Sequence, residues 1–153
     1  MRVGAHRLNC RAAAIIRCEG AFLVNRLDDR ACWFLPGGRV KDGEATADAL
    51  RRELGEELGV DVEPLRPVFF VESFFALQGE RVHELCVYYE VALPALEAAR
   101  VAGARAVDGG LELAWVAAGD LADLDLRPAF LKARPADLPR TLEHVVLRPE
   151  EAR

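Results

Sequence analysis

Glu53, Glu56 and Glu57 stand at i, i+3 and i+4 of one short segment, with Arg52 directly before them and Glu44 upstream. At about 100° per helical residue, the three carboxylates fall within an arc of roughly 100° along one helix edge. Like charges at that spacing repel, and partial burial raises the cost, so the arrangement requires compensating protons or cations. A hard divalent cation answers that need. Mg²⁺ takes oxygen ligands, requires only a few carboxylates, and completes its shell with water and substrate phosphate. The competing description is a solvated helix face laced with ion pairs. Arg52 is one turn from both Asp48 and Glu56, and Arg51 can bend toward Asp48 or the Gly55 carbonyl. That description leaves unexplained Gly55 in mid-helix, which costs about 1 kcal/mol relative to alanine, and it gives the upstream Pro36-Gly37-Gly38 no purpose.

The elements that must position these residues follow from periodicity. Ala47, Leu50, Leu54 and Leu58 form one apolar stripe, so the spacing predicts a helix from Thr46 to Leu58, with Thr46 as its cap and Gly59 as its stop. Trp33-Phe34-Leu35 reads as a brief strand ending in a shaped loop at Pro36-Gly37-Gly38. Ala12 to Ile16 and Ala21 to Val24 read as strands of a hairpin turning at Glu19-Gly20. Val68 to Leu77 and Val82 to Leu93 are longer strands around Gln78-Gly79-Glu80, and Leu111 to Val116 is another. Leu121, Leu124 and Leu126 suggest a helical turn before Arg127-Pro128, and Val145 to Leu147 is a last apolar stretch. Ala95 to Gly110 reads as a mobile loop. With no internal repeat, low-complexity tract or dividing linker, the chain reads as one α/β domain over residues 1–153, a mixed sheet with at least one long helix.

Composition narrows the class of function. The 153 residues are 52% hydrophobic and 29% charged, which is the make-up of an ordinary globular domain and excludes disordered and fibrous classes. A formal net charge of −5 supplies no global basic field, so a nucleic-acid polymer and an anionic membrane surface are not expected partners. A phosphorylated ligand must therefore be held locally. No apolar run approaches membrane-spanning length, and Arg2, His6, Arg7 and Arg11 break up any signal-peptide core. Cys10, Cys18, Cys32 and Cys86 lack metal-binding spacing and read as reduced core residues of a cytoplasmic protein.

Taken together, Gly38, five residues, Glu44, seven residues, then Arg52-Glu53-Leu54-Gly55-Glu56-Glu57-Leu58-Gly59-Val60 resemble the box of the Nudix hydrolase superfamily, with every fixed position filled from Gly38 to Val60. A weaker likeness extends through Trp33-Phe34-Leu35-Pro36-Gly37 and through Trp115-Val116 with the Asp120-Leu121 turn. The resemblance implies the Nudix α/β/α sandwich, a mixed sheet carrying a loop-helix-loop that faces the substrate diphosphate. It implies metal-dependent hydrolysis of a diphosphate linkage in a nucleotide or nucleoside diphosphate derivative, with Mg²⁺ or Mn²⁺ as cofactor and a MutT-like small enzyme as the default type. By matching position, Glu53, Glu56, Glu57 and the Gly38 carbonyl would hold metal, Arg52 would orient the carboxylates, and Glu44 would support them. A homodimer is implied by the family alone.

Water attack at phosphorus needs preorganised positive charge and a base more than a nucleophilic side chain. Glu56 is the first choice of base, with Glu72, Glu84 and Glu112 as alternatives or extra ligands outside the box. His83-Glu84 precedes an apolar run and carries either a structural or a site role. For the substrate, Trp33, Phe74 and Phe75 are the candidate stacking residues among aromatic side chains that more often form core, a pattern that includes Phe69, Phe70 and Trp115. Arg39, Lys41 and Arg81 are candidate phosphate contacts against a default of solvated charge. The proline of ADP-ribose hydrolases and the tyrosine of dinucleoside polyphosphate hydrolases have no counterpart around Phe75, Ala76 and Leu77. The alternative to turnover is a sensing domain that binds a nucleotide or metabolite and regulates a partner.

Overall fold

The computed structural model describes residues 2–27, 29–94, 97–98, 101, 110–134 and 137–149. Along the chain these form β1 (Arg2–Val3), β2 (His6–Cys18), β3 (Ala21–Leu27), β4 (Gly37–Arg39), α1 (Thr46–Leu58), β5 (Glu63–Leu77), β6 (Glu80–Ala92), β7 (Leu111–Ala117), a 3₁₀ helix (Ala129–Ala133) and β8 (Glu143–Leu147). One 8-stranded sheet runs in the order β7-β3-β2-β6-β5-β8, with β1 and β4 also paired to β2. It is mixed. β2 is parallel to β6 and β5 to β8, whereas β2–β3, β3–β7 and β5–β6 are antiparallel.

Alternation along β2 divides the core into two layers, because successive side chains point to opposite faces. Ala12, Ala14 and Ile16 pack with Leu50, Leu54 and Leu58 of α1. Ala13 and Ile15 pack on the other face with Phe69, Tyr88, Leu121, Leu126 and Leu131. The helix therefore covers one face and the segment around the 3₁₀ helix covers the other, consistent with the α/β/α sandwich with a mixed sheet that the resemblance implies.

Several expectations change in detail. Trp33-Phe34-Leu35 is not a strand: Phe34 bridges Asn25 and Trp33 bridges Leu126 as isolated contacts, and the short strand is the glycine segment Gly37–Arg39. Its backbone lies against Ala12 and Ala13, where a larger residue would not fit; a Cβ at Gly37 would come within 2.3 Å of the Ala12 carbonyl oxygen. β5 starts at Glu63 rather than Val68, and its register shifts at Pro64/Arg66 and Pro67/Phe69, where proline cannot donate to the ladder. β2 and β6 also start earlier than their apolar runs. The residues around Leu121 and Leu124 form turns, and the helical piece follows at Ala129–Ala133. Cys86 is core, but Cys10 is exposed and Cys18 and Cys32 are half-buried; all are free thiols. The loop expected at 95–110 falls largely outside the described residues.

Candidate active site

α1 spans Thr46 to Leu58 as the leucine stripe predicts, and its buried residues are Ala49, Leu50, Leu54 and Leu58. Ala47, placed in the stripe from sequence, is only half-buried. Gly59 ends the helix in the left-handed region at φ 65°, its N–H donating to the Gly55 carbonyl. The start differs from expectation. Ala45 is the cap residue with no side-chain cap bond, and the Thr46 hydroxyl instead lies 2.8 Å from the Tyr89 hydroxyl, tying the helix to β6.

Arg52 organises the acidic edge. Its Nε donates to Glu44 Oε1 at 2.8 Å and its Nη2 to Glu44 Oε2 at 2.9 Å, a forked pair. Nη2 also donates to the Arg39 carbonyl at 2.9 Å, while Nη1 donates to Glu53 Oε1 at 2.7 Å and reaches Glu56 Oε2 at 3.4 Å. The bonds to Glu44 and Glu53 raise the Arg52 pKa, so the guanidinium is a fixed cation. Glu44 is pushed down to about 2 by Arg52 and by the Lys41 N–H, which donates to it at 2.9 Å. One arginine thus ties the loop after β4 to the second and third turns of the helix.

The glycine loop closes the edge from above. Gly37 N–H donates to Glu57 Oε2 at 3.1 Å, and a Cβ on Gly38 would lie 2.1 Å from Glu53 Cδ. From the opposite side, Arg11 on β2 donates from Nη2 to the Gly37 carbonyl at 3.2 Å. Burial disfavours the Arg11 charge, but Glu84, Cys86, Tyr88 and Glu57 together outweigh it and raise its pKa. The sequence reading missed Arg11 as a site residue; its signal was a charge placed at the edge of the Ala12–Ile16 apolar run.

Glu53 and Glu57 are half-buried and Glu56 is exposed, its side chain 57% accessible. Among the described residues, no three His, Cys, Asp or Glu side chains already converge on a point where a metal ion would sit. Arg52 and the Gly37 N–H hold them instead. The oxygen-only donor set, beside a glycine with no room for a Cβ, nevertheless fits a hard cation in kind.

The remaining candidates are dispersed. Glu84 accepts from Asn9 Nδ2 at 2.8 Å on the sheet face that Arg11 shares. Glu72 lies between His83 and His144, at 3.2 and 2.8 Å, and those bonds lower its pKa. Glu112 on β7 pairs with Arg26 on β3. Trp33 lies under the Arg26 guanidinium, 4.6 Å from its ring centre. Phe69 is core, as the strand pattern suggested, but Phe70, Phe74 and Phe75 are only half-buried. Phe74 stacks on His83 at 4.3 Å rather than joining the core. The Arg39 carbonyl binds Arg52 and its residue is exposed, as are Lys41 and Arg81.

The NUDIX domain family matches the chain over residues 6–136. A Mycobacterium tuberculosis protein with the provisional name 8-oxo-dGTP diphosphatase 2 is 37% identical over 110 residues, covering 72% of this chain and 70% of that protein. Nucleoside triphosphatase NudI of Escherichia fergusonii is 48% identical over 50 residues, covering 29% of this chain and 36% of its own. A Bacillus halodurans MutT protein superposes with a TM-score of 0.70 at 16% identity, covering 94% of this chain and 92% of the other, which is a likeness of fold.

Proposed function

The chain belongs to the Nudix family and is a hydrolase of that family, and we propose that it cleaves the phosphoanhydride linkage of a nucleoside triphosphate or diphosphate derivative in a reaction that requires a divalent cation. The observation that carries this reading is the Arg52 clasp, which holds Glu53 and Glu56 along one helix edge beneath the Gly37-Gly38 backbone. The names of the tuberculosis and NudI relatives support the nucleoside triphosphate class. The full carboxylate set favours turnover over a sensing role, since binding alone gives no reason to keep three mutually repelling glutamates together. The family match over residues 6–136 supports a single domain, and the free cysteines support a reducing, cytoplasmic setting.

Mg²⁺ or Mn²⁺ would be held by Glu53, Glu56, Glu57 and the Gly38 carbonyl, supplying Lewis-acid charge to phosphoryl oxygens and lowering the pKa of water. Arg52 keeps the carboxylates aligned by its forked grip on Glu44, which fixes the guanidinium before substrate arrives. Arg11 braces Gly37 from the sheet, so the loop backbone is set at the height of Glu57. Glu56 is the proposed base, through the carboxylate oxygen the cation would leave uncoordinated: it is the exposed carboxylate of the set, and among the described residues it makes only a 3.4 Å contact with Arg52. Arg39 remains a proposed phosphate contact at the exposed lip of β4. Phe74, Phe75 and Trp33 keep the weaker proposal of contacting the base.

The test is release of phosphate and pyrophosphate from nucleoside di- and triphosphates, ADP-ribose, dinucleoside polyphosphates and nucleotide sugars, with Mg²⁺ and with Mn²⁺. Turnover of a nucleoside triphosphate that disappears in Glu56→Gln and Glu57→Gln supports the reading. Cation-independent release, or near wild-type turnover in both variants, removes it.

A further inference from the structure

We propose that a recess at the start of β2, beside the β5–β6 turn, is a second anion site that takes a phosphate group, and this does not depend on the reaction proposed above. The recess has a volume of about 270 Å³ and is lined by Arg2, Ala5, Arg7, Gly79, Glu80 and Arg81. Three guanidiniums face one carboxylate there, an excess of two positive charges. Glu80 pairs with Arg2 and makes a looser ion pair with Arg7, 3.6 Å from its Nη1 and beyond hydrogen-bonding distance. Among the described residues, Arg7 therefore makes no side-chain hydrogen bond, and its Nε is closed off from solvent without a partner. Arg81 is exposed and pairs with no described residue.

The backbone builds this recess from two tight turns. Gly4 at φ 59° reverses the chain between β1 and β2, and Gln78 and Gly79, at φ 51° and 80°, reverse it between β5 and β6. Register then sets Arg2 opposite Arg7, and His6 opposite Arg81. Ala5 and Gly79 contribute almost no side chain, and a Cβ on Gly79 would touch nothing within 4 Å, so the space between the arginines stays open. Planar guanidiniums with free donors match phosphoryl oxygens, and a half-buried one whose Nε has no partner gains most from such a ligand. The volume exceeds that of one water, about 30 Å³, several-fold, enough for a phosphate or pyrophosphate. The site is separate from the acidic edge: β4 meets β2 at Arg11–Ala13, and Arg7 and Arg11 are separated along β2 by about 13 Å at ~3.3 Å per residue.

The test is calorimetric titration of the full chain with inorganic pyrophosphate at low ionic strength. The protein is stripped of metal on a chelating resin, so that no soluble chelator competes as an anion. One saturable site is expected, at least tenfold weaker in Arg81→Gln and in Arg7→Gln, and unchanged in Glu56→Gln. Parallel titrations with inorganic phosphate and with AMP identify the source of the phosphate: AMP affinity no higher than that for inorganic phosphate assigns the phosphoryl group alone, and higher affinity assigns a nucleotide. Absence of saturable heat in the wild type, or wild-type affinity in Arg81→Gln, overturns the proposal. Because Arg81 is exposed, that variant decides the matter even if Arg7→Gln folds poorly.

Discussion

The Glu53 carboxylate fills the space that any side chain at position 38 would need, with Cδ only 2.1 Å from where a Gly38 Cβ would lie. The atom in the way is the end of a flexible side chain, so Gly38→Ala is expected to displace the carboxylate rather than unfold the chain. Glu53 then leaves its 2.7 Å bond to Arg52. We expect turnover to fall on the order of a hundredfold with a stability loss under about 1.5 kcal/mol. Gly37→Ala is the contrast. There the obstruction is backbone, the Ala12 carbonyl oxygen at 2.3 Å, and φ is 140°, so about 3 kcal/mol or more should be lost. Melting curves and turnover measured on both variants check this; equal melting temperatures would refute the distinction.

Arg52→Lys keeps the positive charge but cannot grip both Glu44 oxygens, Glu53 and the Arg39 carbonyl at once. The expected result is a kcat reduced about tenfold to a hundredfold, with KM little changed, because the arginine orients the carboxylates and is proposed to make no contact with substrate. A KM increase with kcat intact would instead make Arg52 a substrate contact.

Glu44 gives a pH prediction with a definite sign. Its folded pKa of about 2 lies below the ordinary carboxylate value of ~4.3, held down by Arg52 and by Lys41 N–H. A depressed folded pKa contributes stability that is fully present above the unfolded value and is lost as pH falls from there toward about 2. Glu44→Gln removes that contribution at neutral pH, so it should melt below the wild type at pH 6, and the gap should narrow by pH 3. A gap that stays constant would show that the ion pair does not stabilise the folded chain.

The acidic edge was legible in the sequence because all its parts lie between Gly38 and Val60 and the helix repeat alone sets their facing. The bracing from the sheet was not. Arg11 meets Gly37 across 26 residues, and Asn9 meets Glu84 across 75, both consequences of strand pairing that no local spacing reports. The same limit explains β5, whose proline-containing start carries no strand signal of its own and joins the sheet only through bulged pairing with β6, and Phe74, which fits a core strand pattern yet stacks on His83. Cys10 shows the converse error: a small apolar side chain read as core lies exposed on β2.

Gly55 sits in the middle of α1, exposed, and a Cβ there would meet nothing closer than the Val60 carbonyl oxygen at 3.9 Å. Packing therefore gives no reason for glycine. Gly55→Ala should raise stability by about 1 kcal/mol. If substrate or cation must approach the helix backbone at this point, the same variant will lose turnover while melting higher. Unchanged turnover with higher stability would assign Gly55 no part in the reaction.

The four candidate bases separate by what already holds them. Among the described residues, Glu72 is shared between His83 and His144, Glu84 is bound to Asn9, and Glu112 is paired with Arg26, whereas Glu56 has only the long Arg52 contact. A base must be free to accept a proton from water at the reacting end, so replacing Glu56 should remove more turnover than replacing any of the others. Glu56→Gln is expected to lower kcat by about 10² or more. Glu72→Gln and Glu112→Gln should change melting temperature more than kcat, since each alters a side-chain contact between strands, Glu72 with His83 and His144 and Glu112 with Arg26. Glu84→Gln is the informative control: it keeps the shape of the Asn9 contact but removes a charge facing Arg11. A kcat loss in Glu84→Gln larger than that in Glu56→Gln would transfer the role of base to Glu84.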